Sequence, residues 1–283
     1  MSHTGGGAST YRYRVDWRAV GIHPTALVDS KASLGAGVSV GPFAVVEAEA
    51  ELGPDCEIRA HAVVKRYTRM GSGNVVHEGA VLGGEPQHLA FGGGATRLEI
   101  GDRNRIREGV TIHRAAGAEA PTRIGSDCYL MAYAHVAHDC TLQDDVILAN
   151  NVALAGHVSV GARAFLSGGV VVHQFCRVGR LAMIGGNAKI TRDCLPFVTT
   201  DGVPARAVGL NVVGLRRAGV RTEELKPLKE AYRLLLRSGL PLEEALGRVE
   251  ALGAELAAEL AGFVRGSRRS FHRSRADAPR PEV

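Results

Sequence analysis

Aliphatic residues return at every sixth position along most of this chain. One series runs from Ile22 to Leu82, a short one begins at Ile100, and a third runs from Ile124 to Ile190. The gaps between successive series span 18 and 12 residues, both multiples of six, so the phase never slips. A single repeating architecture is therefore predicted for this whole stretch.

The period of six indicates which architecture this is. An amphipathic helix repeats every 3.6 residues and an extended strand every 2, so neither fits. In a parallel β-helix, each hexad supplies a short strand and a turn, three hexads close one coil of roughly 18 residues, and each aliphatic anchor points inward. Glycine follows many anchors, as at Gly53 and Gly161, which we attribute to backbone angles that only glycine adopts easily.

Beyond the repeat, the chain divides into further segments. We expect a flexible lead-in over residues 1–20, the β-helix over 21–200, a helical C-terminal domain over 201–265 that caps the last coil, and a basic tail without regular structure over 266–283. Thr222 is predicted to cap a first helix that stops at Gly239, Pro241 to open a second, and Glu255 to begin a third. Two stretches break the repeat and are predicted to project as loops: residues 83–94, rich in glycine, and residues 114–123.

Composition and charge narrow the classes of function. The formal net charge is +5, but the arginines from Arg265 onward account for most of it, so no nucleic-acid-binding surface is indicated. A basic tail is usually a solvated end; its functional interpretation is attraction to an acidic partner. No apolar run is long enough to cross a bilayer, and residues 1–19 lack the apolar core of a signal peptide, so a cytoplasmic protein is predicted.

The cysteines fit the same interpretation. All five occupy the fifth position of a hexad, the slot otherwise filled by small residues. Cys176 and Cys194 lie one coil apart, and a disulfide between them is geometrically conceivable. In a reducing compartment we expect free thiols instead.

Candidate chemistry is concentrated in the later coils. Residues 18 apart stack in one column, so His138, Gly156 and Gln174 share a column, and Asp139 and His157 share the next. An imidazole is a competent general base at neutral pH, an adjacent carboxylate can orient it, and a glycine N–H can stabilise an oxyanion. The possible nucleophiles are weaker candidates: Ser126, Ser159, Ser167 and Cys140 lie in ordinary turn, wall or packing positions.

Two other interpretations of the histidines remain open at this point. Histidines from neighbouring coils could bind zinc with a water in the fourth position, as in hexapeptide-repeat carbonic anhydrases. They could also be solvated turn residues of a scaffold without catalytic activity.

The order of motifs resembles one family closely, over about residues 20 to 265. The matching motifs are Ile100 to Glu108, Thr111 to Arg114, His135 to Cys140, Ile147 to Asn151, Leu154 to Val158 and His173 to Cys176. Together they resemble the acyl-ACP:UDP-N-acetylglucosamine O-acyltransferases, which catalyse the first step of lipid A biosynthesis.

This resemblance implies a left-handed β-helix assembled as a homotrimer, with active sites in clefts between subunits and neither metal nor cofactor. It makes His138 the general base toward the glucosamine 3-hydroxyl, Gly156 the oxyanion donor and Gly186 the floor of the acyl-chain ruler. From the residues themselves, Asp139 is the carboxylate expected to support the base. The acyl donor would be acyl carrier protein and the acceptor UDP-N-acetylglucosamine. The residues expected to bind substrate are Gln87, His113, His135, His157, His173 and Gln174, with Asn211 and Arg217 on the nucleotide or its phosphates.

Four positions depart from the family pattern. His88 and Ala90 stand where an aspartate and a lysine are common, Val213 replaces a glutamate, and Ala218 replaces an arginine. The acyl-chain length, the need for a 3-hydroxyl on the acyl group, and the choice between a 3-hydroxyl and a 3-amino acceptor therefore stay open. A related enzyme that acylates a glucosamine 2-amine is less expected, because its N-terminal domain has no room before Ile22.

Overall fold

The structure, a computed structural model, describes residues 21–274. The predicted lead-in over residues 1–20 and the last part of the predicted tail, residues 275–283, lie outside the described residues. Strands of two to five residues follow one another from residue 27 to residue 210, and helices follow from residue 212 to residue 265.

The strands follow the hexads. In chain order they are β1 (Leu27–Val28), β2 (Ser33–Leu34), β3 (Ser39–Val40), β4 (Val45–Val46), β5 (Glu51–Leu52), β6 (Glu57–Ile58), β7 (Val63–Val64), β8 (Thr68–Met70), β9 (Val75–Val76), β10 (Val81–Gly84), β11 (Leu98–Ile100), β12 (Arg105–Ile106), β13 (Thr111–His113), β14 (Thr122–Ile124), β15 (Tyr129–Leu130), β16 (His135–Val136), β17 (Thr141–Leu142), β18 (Ile147–Leu148), β19 (Ala153–Leu154), β20 (Ser159–Val160), β21 (Phe165–Leu166), β22 (Val171–Val172), β23 (Arg177–Val178), β24 (Met183–Ile184), β25 (Lys189–Ile190), β26 (Val198–Asp201) and β27 (Arg206–Leu210).

Every third strand joins the same parallel sheet, so the coil has three flat faces. The first face runs from β1 to β25 in nine strands and the second from β2 to β23 in eight. The third contains ten strands and runs from β3 through β24 to β26 and β27. Outside the two insertions, paired residues up to β25 are 18 apart, as in Leu27 opposite Val45, and anchors such as Leu82 and Leu148 are fully buried. In the last coil the spacing shortens to 16, as in Met183 opposite Thr199. The predicted parallel β-helix is confirmed.

The glycines that follow anchors have a different role from the predicted one. The residues with positive φ are mostly not glycines but turn residues further along the hexad, such as Tyr67 at 61° and Asp139 at 59°. A Cβ on Gly53 would instead lie 2.6 Å from the carbonyl carbon of Gly71, and one on Gly161 would lie 2.5 Å from the Arg180 nitrogen. These positions therefore require glycine because the next coil passes so close, and the prediction from backbone angles was wrong.

Both insertions leave the β-helix at the same edge. Residues 85–97 connect β10 to β11, residues 114–121 connect β13 to β14, and each time the chain passes from the first face to the second. We call this the loop edge; its turns contain Arg66 and Tyr67 in an early coil and His138 and Asp139 in a later one. The first insertion begins two residues later than predicted, because β10 extends through Gly84.

The C-terminal part differs from the prediction in its first residues. Strands β26 and β27 form an antiparallel pair, so the helices start at residue 212 and not at residue 201. The helices are α1 (Val212–Arg217), which was not predicted, α2 (Thr222–Arg237), α3 (Leu242–Glu250) and α4 (Glu255–Arg265). Thr222 is the first residue of α2 and does not cap it; the Glu224 carboxylate accepts the backbone N–H of Arg221 instead.

The helices and the last coils share a second apolar core, separate from the interior of the β-helix. Phe197 is fully buried there among side chains of all four helices. Phe271 is 2% exposed and pairs with Asp193 of the last coil, and His272 is 6% exposed. The predicted tail boundary at residue 266 is therefore too early, since residues up to 274 belong to the fold.

Two predictions on membrane spanning and cysteines can be compared with the described residues. No helix within residues 21–274 is both long enough and apolar enough to cross a membrane. All five cysteines are free and buried, as predicted.

Candidate active site

His138 and Asp139 form a tightly held pair at the loop edge. The His138 Nδ1 lies 2.6 Å from an Asp139 carboxylate oxygen, and the histidine is only 8% exposed. When Nδ1–H donates to the carboxylate, Nε2 keeps its lone pair and can accept a proton. This is the arrangement that a general base requires.

The second insertion fixes the position of Asp139. The backbone N–H of Ala116 donates to the Asp139 carboxylate at 3.2 Å, and the Asp139 N–H donates to the Thr122 hydroxyl at 2.8 Å. Thr122 is fully buried. Neither contact was predicted, because the sequence repeat carries no information on where an inserted loop folds back.

Gly156 packs directly against the His138 ring. A Cβ at this position would lie 2.7 Å from His138 Cε1 and 2.9 Å from Nε2, closer than real contacts allow. The His138 carbonyl accepts the N–H of His157, which ties the two turns together. Within residues 21–274 the Gly156 N–H donates no hydrogen bond, so it is free to stabilise a developing oxyanion.

His157 extends the cluster along the edge. Its Nε2 is 3.6 Å from the Asp139 carboxylate, and its ring packs edge-on against that of His138 with centroids 5.3 Å apart. On its other side, His157 stacks on Phe175 with a centroid distance of 4.5 Å. Phe175 was not singled out from the sequence, although it lies 18 residues after His157 and thus in the same column.

The first insertion forms the opposite wall of a groove of about 660 Å³. His88, a departure from the family pattern, lies with its ring 5.3 Å from the ring of His138, edge to face. Residues from both sides line the groove: Gln87, His88, Leu89 and Ala90 from the insertion, and His135, His138, Gly156, Val171 and Gln174 among others from the coils.

Arg114 holds this insertion in place. It is 3% exposed, and its guanidinium donates to the Gly83 carbonyl at 3.3 Å and to the Glu85 carboxylate at 3.1 Å. The Arg114 guanidinium also lies over the rings of Tyr67 and Phe91, with its Cζ atom 5.9 Å and 5.6 Å from their centroids.

His113 ends β13 in the preceding coil and His135 begins β16, the strand before His138; their ring centroids are 5.2 Å apart. The Nδ1 of His113 is 2.6 Å from the Glu85 carbonyl, and that of His135 is 2.8 Å from the Thr111 hydroxyl. Burial lowers the pKa of both histidines, and each is lowered further by a neighbouring imidazole. His113 thus anchors the insertion, whereas His135 lines the groove.

The remaining predicted residues do not line this groove, although His173 lies in a later turn of the same loop edge. His173 is exposed, with Nδ1 3.1 Å from the Gln174 carbonyl, and Gly186 lies on another edge, between the third and first faces. Asn211 and Arg217 line a cavity of about 860 Å³ on the third face, together with Val213 and Ala218. The Asn211 side chain also caps α1 by accepting the Gly214 N–H at 3.0 Å.

A cysteine nucleophile is not supported by the structure. Cys140 is fully buried, its thiol donates to the Ala155 carbonyl at 3.2 Å, and burial raises its pKa to about 12. The thiolate that a nucleophile requires is thus strongly disfavoured at neutral pH.

The zinc interpretation depends on three neighbouring side chains. His138, Asp139 and His157 offer ligand atoms within 4.8 Å of one another. The short hydrogen bond between His138 and Asp139 uses one atom from each of these two residues. Coordination at those atoms would break this hydrogen bond.

Comparison with known proteins defines first the class and then the family. The profile of bacterial transferase hexapeptide repeats matches residues 31–66 and 121–156, which places the chain among the hexapeptide-repeat transferases. The profile of domain 2 of UDP-N-acetylglucosamine O-acyltransferase matches residues 193–272, which include the helices and the segment after them.

Individual relatives agree with the profiles. A protein of Anaeromyxobacter is 47% identical over 89% of this chain and 99% of its own length, and one of Gloeothece citriformis is 52% identical over 65% of this chain but only 66% of its own length. Both are named acyl-(acyl-carrier-protein)–UDP-N-acetylglucosamine O-acyltransferase. The solved LpxA structure from Moraxella catarrhalis, a UDP-N-acetylglucosamine O-acyltransferase, has a TM-score of 0.87 and is 40% identical over 89% of this chain and 99% of that one.

This chain belongs to the UDP-N-acetylglucosamine O-acyltransferase family. The fold is accordingly the left-handed parallel β-helix with a small helical C-terminal part that the resemblance implied. The zinc carbonic anhydrase alternative finds no support in these comparisons.

Proposed function

We propose that this protein transfers an acyl chain from acyl carrier protein to the 3-position of UDP-N-acetylglucosamine, the first step of lipid A biosynthesis, in the cytoplasm. The observation that carries the proposal is the pair of His138 and Asp139, 2.6 Å apart, at the wall of an open groove. A base with one nitrogen held by a carboxylate and the other free is suited to activate a sugar hydroxyl.

In the reaction, His138 Nε2 removes the proton of the acceptor hydroxyl as its oxygen attacks the thioester carbonyl. The resulting oxyanion accepts a hydrogen bond from the free N–H of Gly156, and the carboxylate of Asp139 stabilises the imidazolium. Collapse of the tetrahedral intermediate breaks the carbon–sulfur bond. The thiolate then takes the proton from His138, which restores the base without any cofactor.

The two groups of predicted binding residues favour a site shared between subunits. Asn211 and Arg217 lie on the third face, whereas His138 lies on the loop edge between the first and second faces. If both groups contact one sugar nucleotide, they come from different copies of the chain. A homotrimer, in which each loop edge meets the third face of a neighbour, satisfies this requirement.

A direct assay tests the transfer. Purified protein is mixed with acyl carrier protein thioesters of several chain lengths, with and without a 3-hydroxyl, and with UDP-N-acetylglucosamine or its 3-amino analogue. Mass spectrometry should detect an acylated sugar nucleotide. The absence of product with every donor and both acceptors would refute the proposed function.

Mixing two inactive variants tests the shared site. His138→Ala and Arg217→Ala chains, unfolded together and refolded, should form mixed trimers in which a random quarter of sites keeps both residues, so activity should recover to about one quarter. No recovery above the separately refolded variants would place both residues in one chain.

A further inference from the structure

A third cavity, of about 480 Å³, lies on the second face beside the loop edge. It is formed where the segment after α4 crosses the coils that carry the candidate active site. The side chains that define its chemistry are His157, Phe175, Arg177, Asp193, Arg268 and Arg269. None of the predicted binding residues except His157 belongs to it.

The cavity has an excess of positive charge. Three arginines face one carboxylate, that of Asp193, which is 1% exposed. Asp193 is already occupied, because it accepts the Arg177 Nε at 2.8 Å and the Ser267 hydroxyl at 2.9 Å. The Nη2 of Arg177 donates a hydrogen bond to the Phe263 carbonyl at 2.6 Å.

Arg268 and Arg269 are left without acidic partners. Across residues 21–274 neither forms an ion pair, although most arginines of the coils and helices do. The Nε of Arg269 is buried without a hydrogen-bond acceptor among the described residues, although the guanidinium interacts with the neighbouring Cys176 thiol. Arg268 is exposed and Arg269 half-buried, so both guanidinium groups present donors at the cavity that no described carboxylate uses, and an anionic ligand could accept hydrogen bonds from them.

The position of the cavity connects it to the proposed reaction. His157 lines the cavity, packs against the His138 ring and faces Asp139. A group bound here therefore lies next to the place where sugar and thioester meet. Both proposed substrates carry phosphate: the sugar nucleotide a diphosphate, and the carrier protein a phosphodiester on its prosthetic arm.

We propose that Arg268 and Arg269 form a binding site for a phosphate group of one of the two substrates. The planar guanidinium, with several donors in fixed directions, suits phosphate oxygens better than a lysine does. The inference rests on the proposed function for the identity of the ligand, but binding at the site is measurable without turnover.

The test uses three variants of the whole chain: Arg268→Gln, Arg269→Gln and the double variant. Arg273→Gln is the matched control, since Arg273 belongs to the same segment, is exposed and does not line the cavity. Thermal unfolding first establishes that all variants are folded. Calorimetric titrations then measure the binding of UDP, of an acyl-4′-phosphopantetheine and of the corresponding acyl-pantetheine without phosphate.

The double variant should bind one phosphate-bearing ligand about tenfold to a hundredfold more weakly, as expected for the loss of hydrogen bonds from charged donors. Arg273→Gln should bind like the wild type. Weaker binding of UDP identifies the sugar nucleotide as the source, whereas weaker binding of acyl-4′-phosphopantetheine but not of acyl-pantetheine identifies the donor.

Two results would overturn the proposal: unchanged binding of all three ligands, or equal weakening with both pantetheine forms while UDP binding is unchanged. The second would indicate a contact with the pantetheine arm and not a phosphate site. A wild-type chain that binds UDP through these arginines but transfers no acyl group would refute the proposed function alone.

Discussion

The loop edge of the β-helix carries different side chains in different surroundings in an early coil and in a later coil. Arg66 and Tyr67 in an early coil occupy the turn positions that His138 and Asp139 occupy later, and Tyr67 and Asp139 have nearly equal φ values of 61° and 59°. Around the early turn, Glu47 pairs with Lys65 at 3.3 Å and with Arg66 at 3.9 Å. The Arg66 side chain is 52% exposed, against 10% for that of His138.

The difference comes from the two insertions and not from the coil itself. Both insertions leave the loop edge between these two heights; one holds the Asp139 carboxylate, and the other places His88 against the His138 ring. Exposed ion pairs such as those of Glu47 contribute little, whereas a shielded pair experiences a lower dielectric and interacts more strongly. We infer that a uniform scaffold acquires its candidate site where inserted loops shield one turn from solvent.

The largest loss among the supporting residues is expected for Asp139→Asn. An asparagine amide can donate to His138 Nδ1, which would move the ring proton to Nε2 and remove the lone pair that acts as the base. We expect kcat to fall by roughly 10²-fold to 10⁴-fold, the usual contribution of a general base. Steady-state kinetics measure this effect, and the Tyr67→Phe variant at the equivalent early turn should retain full activity. A kcat within threefold of wild type would contradict the role of Asp139.

Gly156→Ala should have the next largest effect. The added Cβ would overlap the His138 ring, which has to move, and a displacement approaching 1 Å costs on the order of 10²-fold in rate. Gly186→Ala is a matched control for the fold, because its Cβ would make only an ordinary contact at 3.6 Å. With a short-chain donor, this control should keep its kcat. Normal turnover by Gly156→Ala would show that the ring position is not critical.

A smaller and different effect is expected for Arg114→Gln. Without the guanidinium, the insertion that carries Gln87 and His88 loses its hydrogen bond from Arg114 to Glu85, and β10 loses the one to Gly83 just before it. The KM for the acceptor should therefore rise severalfold with little change in kcat. Stability should fall by roughly 1–3 kcal/mol, as for other buried hydrogen bonds. Denaturant unfolding measures this, with Arg123→Gln, which removes an exposed pair with Glu99, as a nearly neutral control. Equal unfolding free energies for the two variants would refute the role of Arg114.

The smallest effect concerns pH. His113 and His135 have pKa values below the ordinary 6.5, so between the lowered values and 6.5 the unfolded chain binds more protons than the folded one. Stability is therefore complete above pH 6.5 and falls as the pH drops through that window. The midpoint temperature of unfolding of His135→Gln should depend less steeply on pH than that of wild type. Part of the pH dependence should remain, because burial also lowers the pKa values of His77 and His272. An unchanged slope would contradict this account.

The coils could be predicted from sequence because each hexad makes the same contacts. An aliphatic anchor such as Leu148 is buried in the interior, as the repeat predicts. The spacing of 18 residues per coil correctly placed His138, Gly156 and Asp139 next to one another. The same arithmetic applied to the two gaps would have shown that both insertions leave at the loop edge, since each follows an anchor of the first face.

The sequence repeat could not predict contacts made by segments that lie outside the hexads. Ala116 reaches Asp139, and Phe271 reaches Asp193, through backbone that has no hexad register. Helix α1 has only six residues, too few to show a helical period in the sequence. Its capping residue, Asn211, is therefore the one sequence signal for this helix. The contacts between copies of the chain that the proposed shared site requires would leave no periodic signal either.

The central claim is that one turn of the loop edge has become catalytic while its early counterpart has not. The most direct test compares kcat for His138→Ala and Arg66→Ala, the same turn position at two heights, in folded protein treated with chelator or with added zinc. We predict that His138→Ala loses roughly 10²-fold to 10⁴-fold in kcat, that Arg66→Ala keeps wild-type activity, and that neither chelator nor zinc changes the wild type. Turnover by His138→Ala at the wild-type rate, or a wild type inactivated by chelator and restored by zinc, would contradict the account.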